Sequence, residues 1–586
     1  MKKLMAMLLV AGLSTSLLAG CGSSSSGSTT ESSTETSEAV STEGATEVAT
    51  EVSGSSAPEW ASYDELIATI KSSTDLVERE ALMHEAEDML MDTGAVLPIY
   101  YYNDIFMMKG NLTGLKSNQF GYKFFNKVEG SDGTLNIMLA SEPAKLDPAL
   151  NSSVDGACLA VAAFAGLYST DENGQPIPDL ADSYEMSEDG LTYTFHLKSD
   201  LKWSDGSALT ANDFIYSWNR SVAEETAADY SYLYDVIART DTGELDATAP
   251  DDNTIVVKVD APCAYFLDLM AFPAFFPVPQ AAVEAANPDG TNPGAWCQEA
   301  GFISNGPYVL TSWVHDESMV YEANPNYYDA ASVTVSKLNF MLSDDDTAVY
   351  AAYQAGDLDF IDSIPTDEIS NLIDSKNPEF HIIGQLGTVY MQFNVNSALF
   401  EGKTVEQASA MRRALGLLID RDYIVANIAQ AGQELASSFI PSGISDGNGG
   451  MFKANDDAYT YPNAEAIGYY DATQVNTEEA IALLEEAGYV FGDDGMLSAE
   501  TPLVMTYLTN DAGANIPVAE ALQQDLAAVG IEMTIDTQEW NVFLENRKAG
   551  NFDLARGGWI CDYNDPINML EMFTSDSGNN DAQLGR

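Results

Sequence analysis

The residues best suited to ligand chemistry stand close together late in the sequence, in the run RGGWICDYNDP at positions 556–566. Asp562 lies there between two aromatic residues, Trp559 and Tyr563, and Arg556 adds a cation. A carboxylate in apolar surroundings is costly unless a cation or hydrogen-bond donors satisfy it, which makes it a natural receptor for an ammonium group. The alternative is that Asp562 caps a turn beside the following Asn-Asp-Pro.

A strand must deliver this run to a surface where ligands bind. Residues 551–555 follow Gly550 and are strand-like, so the sequence predicts a strand there and a loop over positions 556–566. Loops at the edge of a lobe commonly carry binding residues.

Three successive segments resemble the ligand-contacting part of oligopeptide-binding proteins. They are residues 538–540 with Leu544 and Arg547, then residues 552–559, and then residues 562–566. Those proteins, solute-binding protein family 5, are the extracytoplasmic substrate-binding subunits of ABC importers. The resemblance implies a receptor that binds oligopeptides between two lobes and delivers them to ABC permease subunits.

The resemblance also implies roles for individual residues. Asp562 takes the α-amino group of the peptide, and Arg556 is the candidate for the carboxylate at the far end of a short peptide. The other expected peptide-binding residues are Trp559, Tyr563, Trp540, Leu544, Arg547, Tyr390, Gln392 and Tyr232. Tyr390 and Gln392 are expected to face the cleft, where the chain crosses into the second lobe, although Tyr390 is equally typical of an ordinary strand aromatic.

Other ligands and roles stay open. Several relatives that carry nickel, haem or sugars lack the Asp, so Asp562 favours peptide over a non-peptide solute such as a nickel complex or a sugar. A peptide-sensing lipoprotein without import is a further alternative. Some relatives have a disulfide at the positions of Gly387 and Ile560, which is absent here. A His that some relatives present to longer peptides has no counterpart in residues 510–516, so the preferred length is open.

The first residues indicate export and anchoring. A basic start and the apolar residues 4–18 are typical of a secretion signal over 1–20, and Leu18-Ala19-Gly20-Cys21 resembles a bacterial lipobox. Lipidation of Cys21 would anchor the protein to the outer face of the bacterial cytoplasmic membrane. Residues 21–57, rich in Ser, Thr and Glu, are expected to form a disordered tether.

Composition and motifs argue against several function classes. The net charge of -65 repels nucleic acid. The four histidines are scattered, and metal-binding pairs, phosphate loops and dinucleotide fingerprints are absent from the sequence. We therefore expect a non-catalytic binding protein, monomeric and without cofactor or metal.

The cysteines suggest one pairing. Cys263 and Cys297 are candidates for a disulfide in an exported protein, although sequence does not fix connectivity, while Cys158 and Cys561 are expected to be unpaired.

Amphipathic helices alternate with strands, which predicts α/β lobes. The resemblance implies a two-lobe, class II periplasmic-binding-protein-like fold with an extra α/β subdomain. The expected divisions after the tether are 58–103, a helix and strand packing with the distal lobe; 104–165, part of the proximal lobe; 166–290, the extra subdomain; 291–386, the rest of the proximal lobe; and 387–586, the distal ligand-binding lobe.

The order of these parts is unusual. Apolar spacing predicts a helix over residues 64–91 and a buried strand over 95–102, which in the resembling family come near the carboxyl terminus. Here they precede residues 133–137, which resemble the family's first strand. We interpret the chain as circularly permuted, with the family's ends rejoined through residues 127–132. The alternative is a fragment or assembly error that never folds as one unit.

Overall fold

The computed structural model describes residues 56–138, 142–456 and 458–586. The predicted signal peptide, Cys21 and the tether up to residue 55 lie outside the described residues. Ser56 and Ala57 were expected in the tether, but both are buried, and the Ser56 amide donates to the Val395 carbonyl at 3.1 Å. The folded part therefore includes these two residues.

The elements alternate between helix and strand. The helices are α1 Ala61–Ser72, α2 Leu76–Asp92, α3 Val154–Ala163, α4 Ala211–Ser221, α5 Phe266–Ala271, α6 Gln280–Ala286, α7 Asp346–Ala355, α8 Thr366–Asp374, α9 Val405–Leu417, α10 Arg421–Tyr423, α11 Thr477–Glu486, α12 Asn515–Ala527, α13 Trp540–Lys548 and α14 Ile567–Leu570. The strands are β1 Val96–Met108, β2 Lys116–Ser117, β3 Lys123–Phe124, β4 Thr134–Met138, β5 Tyr168–Thr170, β6 Pro176–Pro178, β7 Ala181–Met186, β8 Thr192–Leu197, β9 Ala247–Asp251, β10 Thr254–Lys258, β11 Tyr308–Val314, β12 Ser318–Ala323, β13 Lys337–Met341, β14 Phe360–Ile361, β15 Phe380–Phe393, β16 Val504–Asn510, β17 Glu532–Gln538 and β18 Leu554–Ile560. None of the helices in the described part of the chain has the length and apolarity needed to cross a membrane.

One ten-stranded sheet runs through the protein in the order β11-β12-β13-β4-β14-β1-β15-β18-β16-β17. Its centre is the antiparallel pair β1 and β15, two long strands that pair from Val96↔Gln392 to Met107↔Phe380. The β14 side of this pair is termed the proximal half and the β18 side the distal half. Within the described residues, β1 and β15 are the only strands that connect the two halves of the sheet.

A smaller four-stranded sheet, β7-β8-β10-β9, lies within the stretch expected to form the extra subdomain. Helix α4 packs with it and starts at Thr210, whose amide donates to the Asp213 carboxylate at 2.7 Å in a capping arrangement. Trp218 on this helix is fully buried and donates to the Phe275 carbonyl at 2.9 Å.

The amino-terminal described segment differs from its prediction. Residues 64–91 form two helices rather than one, because Asp75 caps α2 by accepting hydrogen bonds from the amides of Val77 and Glu78 at 3.1 and 3.2 Å. The predicted strand 95–102 continues to Met108, where it pairs with β14 of the proximal half.

This segment packs against residues that come very late in the chain. The Trp60 indole donates to the Phe573 carbonyl and the Tyr63 hydroxyl to the Leu570 carbonyl, both at 2.8 Å. Arg79 forms a buried bidentate pair with Asp565 at 2.9 and 2.8 Å. The two ends of the described chain therefore fold into one core.

The predicted disulfide is wrong: Cys263 and Cys297 are both free thiols. Cys297 is buried beside the Arg220–Asp147 ion pair, whereas Cys263 lies near Arg79, so the two thiols have different surroundings. The thiols of Cys158 and Cys561 are free, as predicted.

We expect Arg79→Met to lower the free energy of unfolding by about 3–5 kcal/mol, because it leaves the Asp565 carboxylate buried without its cation. Adding Asp565→Asn should recover part of this loss. The matched control is Arg239→Met, which removes an exposed ion pair with Asp235 at 3.7 Å and should cost under about 1 kcal/mol. Urea unfolding measures all of these variants, and equal losses for Arg79→Met and the control would contradict the prediction.

Candidate functional site

A cavity of about 290 Å³ lies between the two halves of the sheet. Its walls come from β1, β18 and α13, from the residues that lead into α3, and from residues near Tyr230 and Phe272. The volume is at the lower end of the range for small-ligand pockets. Of the predicted site residues, the cavity wall contains Asp562, Trp559, Arg556, Trp540, Leu544, Arg547 and Tyr390.

Strand β18 carries more of this wall than the sequence predicted. It spans Leu554–Ile560, so Arg556 and Trp559 are strand residues and only the part after Ile560 is a loop. Gly557 faces Tyr390 on β15, and a Cβ there would come within 2.2 Å of the Tyr390 ring. A Cβ at Gly558 would come equally close to the Tyr102 hydroxyl, at 2.2 Å. The two glycines therefore let two tyrosines lie directly against the strand.

The carboxylate of Asp562 is held by neutral donors. The Asn568 amide donates to one oxygen at 3.0 Å and the Tyr230 hydroxyl to the other at 3.2 Å. Asn568 is fixed in turn, because its own oxygen accepts from the Asp562 amide and the Trp559 indole, both at 3.0 Å. Among the described residues, no cation forms an ion pair with Asp562.

This environment changes the acidity of Asp562. Burial raises the pKa of the carboxyl to about 7, and the nearby Glu571 adds to that rise, while the hydrogen bonds from Asn568 and Tyr230 oppose it. A cation that entered the cavity beside Asp562 would favour the ionised form.

The cations of the cavity wall differ in how they are paired. Arg547 pairs with Asp581 at 2.7 Å, and Lys548 pairs with Asp229. Arg556 donates to the Asn515 side chain at 2.8 Å and to the Tyr102 hydroxyl at 3.3 Å, and no carboxylate of the described chain pairs with it. Arg556 is therefore the cation in this wall that is available to an anionic group.

Three predicted site residues lie outside the cavity wall. The Tyr563 ring turns away from the cavity, stacks on Tyr265 at 4.6 Å and donates to Glu571. Gln392 shares a strand face with Tyr390, but it lies two residues further along β15, opposite Ala555, beyond the cavity. Tyr232 lines a neighbouring cavity with Lys71 and Glu571.

Sequence reasoning missed the residues that hold Asp562. Tyr230 takes the aromatic position that had been assigned to Tyr563, and it is 332 positions from Asp562, so no local spacing points to it. Asn568 is only six positions from Asp562 and lies in the first turn of the short helix α14. Its position just after the Asn-Asp-Pro turn could have indicated a contact with Asp562.

The chain matches a known protein family over most of its length. The family model described as bacterial extracellular solute-binding proteins, family 5 Middle, matches residues 175–581. The chain belongs to family 5 of these proteins. Members of this family bind solutes without transforming them, so the protein is a binding protein and not an enzyme.

Several family 5 members are similar to this chain over most of their length. Oligopeptide-binding protein OppA of Bacillus subtilis (strain 168) is 31% identical over 467 residues, covering 77% of this chain and 79% of that protein. Periplasmic oligopeptide-binding protein OppA of Escherichia coli (strain K12) is 33% identical over 454 residues, covering 75% and 77%. The structure of Haemophilus influenzae OppA in complex with RPPGFSPFR aligns with a TM-score of 0.66 and 29% identity, over 77% of this chain and 84% of that one. This likeness supports the class II α/β fold.

The register of the sheet agrees with one detail of the family resemblance. Gly387 and Ile560, which the resemblance puts at the positions of a disulfide in some relatives, are direct partners across β15 and β18. A Cβ at Gly387 would lie 2.9 Å from the Ile560 Cα, so the glycine admits the larger side chain opposite it.

Across the described residues, no group of three or more His, Cys, Asp or Glu side chains is arranged to hold a metal ion.

We expect Asp562→Asn to stabilise the ligand-free protein above neutral pH. The folded-state pKa of Asp562 is raised to about 7, so its contribution to stability is fully present below its unfolded pKa and is lost as the pH rises through 7. The amide of the variant can still accept from Asn568 and donate to Tyr230. The gain should be absent near pH 4 and should reach at most about 4 kcal/mol above pH 7.

Denaturant unfolding at pH 4, 6 and 8 measures this difference between the variant and the natural protein. The control is Asp511→Asn, an exposed carboxylate that should show no such pH-dependent gain. A constant difference between Asp562→Asn and the natural protein at all three pH values would contradict the raised pKa.

Proposed function

We propose that this protein is an extracytoplasmic receptor that binds short oligopeptides by their free amino terminus and delivers them to an ABC permease. The observation that carries the proposal is the Asp562 carboxylate, which faces the cavity with two neutral donors and without a cation. A peptide ammonium supplies the missing positive charge. The proposal is supported by the names of the relatives, which are oligopeptide-binding proteins, and by the peptide bound to the Haemophilus influenzae relative.

The far end of the ligand has its own candidate partner. Arg556 lines the same cavity and lacks a carboxylate partner in the described part of the chain. Its guanidinium suits the planar carboxylate at the end of a peptide. Since both charged groups border a cavity of only about 290 Å³, a ligand that reaches both is short.

The peptide backbone would bind to strand β18. On one side, β18 pairs with β15 along its whole length, from Phe393↔Leu554 to Gly387↔Ile560. On the other side, β16 pairs only with Leu554 and Ala555. Residues 556–560 therefore present an open strand edge beside Asp562, and an extended peptide can add to such an edge by main-chain hydrogen bonds.

Closure about the two central strands would bury the peptide. The pairing of β1 with β15 shifts register between Tyr101 and Asn103, near the boundary of the two halves. Irregular pairing is a suitable place for a hinge, and the closed form would be the one that the permease recognises. We further propose that lipidation of Cys21 anchors the receptor at the outer face of the cytoplasmic membrane.

We infer that the family's parts stand in rotated order in this chain. Supporting contacts join the segment expected last in the family to the late residues: Trp60 donates to Phe573 and packs against Gly585. The junction is compact as well, because the Thr334 amide donates to the Asn126 carbonyl at 2.9 Å and Phe125 contacts Phe340 next to β4. The strand Thr134–Met138 and residues 120–125 thus share the proximal half.

The deciding experiment is isothermal titration of the full-length protein with tri- to pentapeptides and with the same peptides N-acetylated. Free peptides should bind, and acetylation or Asp562→Asn should weaken binding by about 2–5 kcal/mol, which is at least roughly 30-fold. Asp511→Asn, an exposed carboxylate, should leave the affinity unchanged.

The outcomes separate the alternatives. Equal binding of free and acetylated peptides would remove Asp562 from amine recognition and leave a peptide receptor of another design. Absence of peptide binding by a cooperatively folded protein would favour a non-peptide solute. Binding without interaction with a permease would favour a peptide-sensing lipoprotein.

A reordered gene tests the rotated order. A chain that runs from Gly133 to Arg586 and continues with residues 56–132 should unfold cooperatively and bind free-amine peptides, because Gly585 already lies against Trp60. Circular dichroism and titration measure both properties. A reordered chain that remains unfolded while the natural order folds would contradict the inference.

A further inference from the structure

The cavity wall contains one more unpaired carboxylate than the two termini of a peptide with neutral side chains can match. Its charged lining residues are Asp155, Asp562, Asp581, Arg547, Lys548 and Arg556. Arg547 pairs with Asp581, and Lys548 pairs with Asp229 outside this set. Two carboxylates and one guanidinium therefore remain without a partner of opposite charge. Under the proposed function, the peptide termini would match Asp562 and Arg556, so Asp155 is left over.

Within the described residues, the Asp155 side chain has no hydrogen-bond or ion-pair partner. It lies in the first turn of α3, next to the N-cap Ser153, and none of the hydrogen bonds or ion pairs of the described residues involves its side chain. The cation that influences it, Lys123, is already paired with Asp104 at 2.6 Å. The helix amino terminus favours a negative charge on this half-buried side chain, but it supplies no ion-pair partner.

The surroundings of Asp155 make its negative charge more unfavourable when no cation is close to it. Burial raises the pKa of Asp155 to about 6, and Asp362, a second carboxylate nearby, interacts with it unfavourably. The same cavity wall contains the rings of Phe120 and Tyr122. Aromatic rings beside a carboxylate suit a side chain that has an apolar stem and a positive end.

We propose that Asp155 is a specificity residue that receives a cationic peptide side chain, so that this receptor prefers short basic peptides. The proposal rests on the proposed function and adds the ligand class: two positive groups and one carboxylate, as in a short peptide with one lysine, arginine or ornithine. The long-range attraction of a protein with net charge -65 does not produce this preference, because that attraction acts on a lysine at any position of the peptide.

The test is titration of the full-length protein with Ala-Ala-Ala and with variants that carry lysine, norleucine or acetyl-lysine at each position in turn. At one position, lysine should bind on the order of tenfold tighter than norleucine or acetyl-lysine. Asp155→Asn should remove this preference, whereas Asp155→Glu should retain part of it. Asp362→Asn, which changes a carboxylate outside the cavity wall, should keep the preference.

Three outcomes overturn the proposal: equal binding of lysine and norleucine peptides at every position, equal binding of lysine and acetyl-lysine peptides, or an unchanged lysine preference in Asp155→Asn. Unfolding midpoints show which variants fold, and if Asp155→Asn does not fold, the acetyl-lysine comparison on the natural protein decides. Failure of Ala-Ala-Ala itself to bind would instead count against the proposed function, so the two failures are distinguishable.

Discussion

The site depends on one electrostatic constraint: a carboxylate kept in a cavity without a cation of its own. Neutral donors from Asn568 and Tyr230 orient Asp562 but do not cancel its charge, and burial raises its pKa to about 7. The empty protein therefore holds an unfavourable group that a positive ligand relieves. Under the proposed function, stability in the absence of ligand and affinity for an amine are opposed at this residue.

The sheet explains how distant residues meet at that group. Strands β1 and β15 pair along most of their length and join the two halves. Strand β18 then places Asp562 at the boundary, and its paired glycines let Tyr390 and Tyr102 close over the strand. On the opposite wall, Ser152 and Asp229 both bond to Lys548 of α13, so polar contacts cross the cavity as well as the sheet.

Sequence reasoning reached the family, the α/β class and much of the cavity wall, because those follow from local motifs. It misplaced what depends on three-dimensional direction. Tyr563 is adjacent to Asp562 in sequence, yet successive residues face opposite sides, and Tyr230 from a remote turn fills the position. The predicted strand over residues 551–555 ended too early, because Gly557 and Gly558 are more typical of a loop. In the structure both glycines lie in β18, where the close packing of two tyrosines requires a residue without a side chain. The free thiols of Cys263 and Cys297 could not be foreseen from their spacing.

The position of β1 in the sheet also governs the order in which the protein can be made. This strand precedes most of the chain and lies at the centre of the sheet, but its main partner β15 begins only at Phe380. In the same way, Arg79 can form its ion pair only after Asp565, 486 positions later, has been synthesised. Pairing over such separations makes folding slow and leaves apolar helix faces such as that of α1 uncovered meanwhile. The early helices therefore cannot complete their native contacts during export until residues 565–573 have emerged.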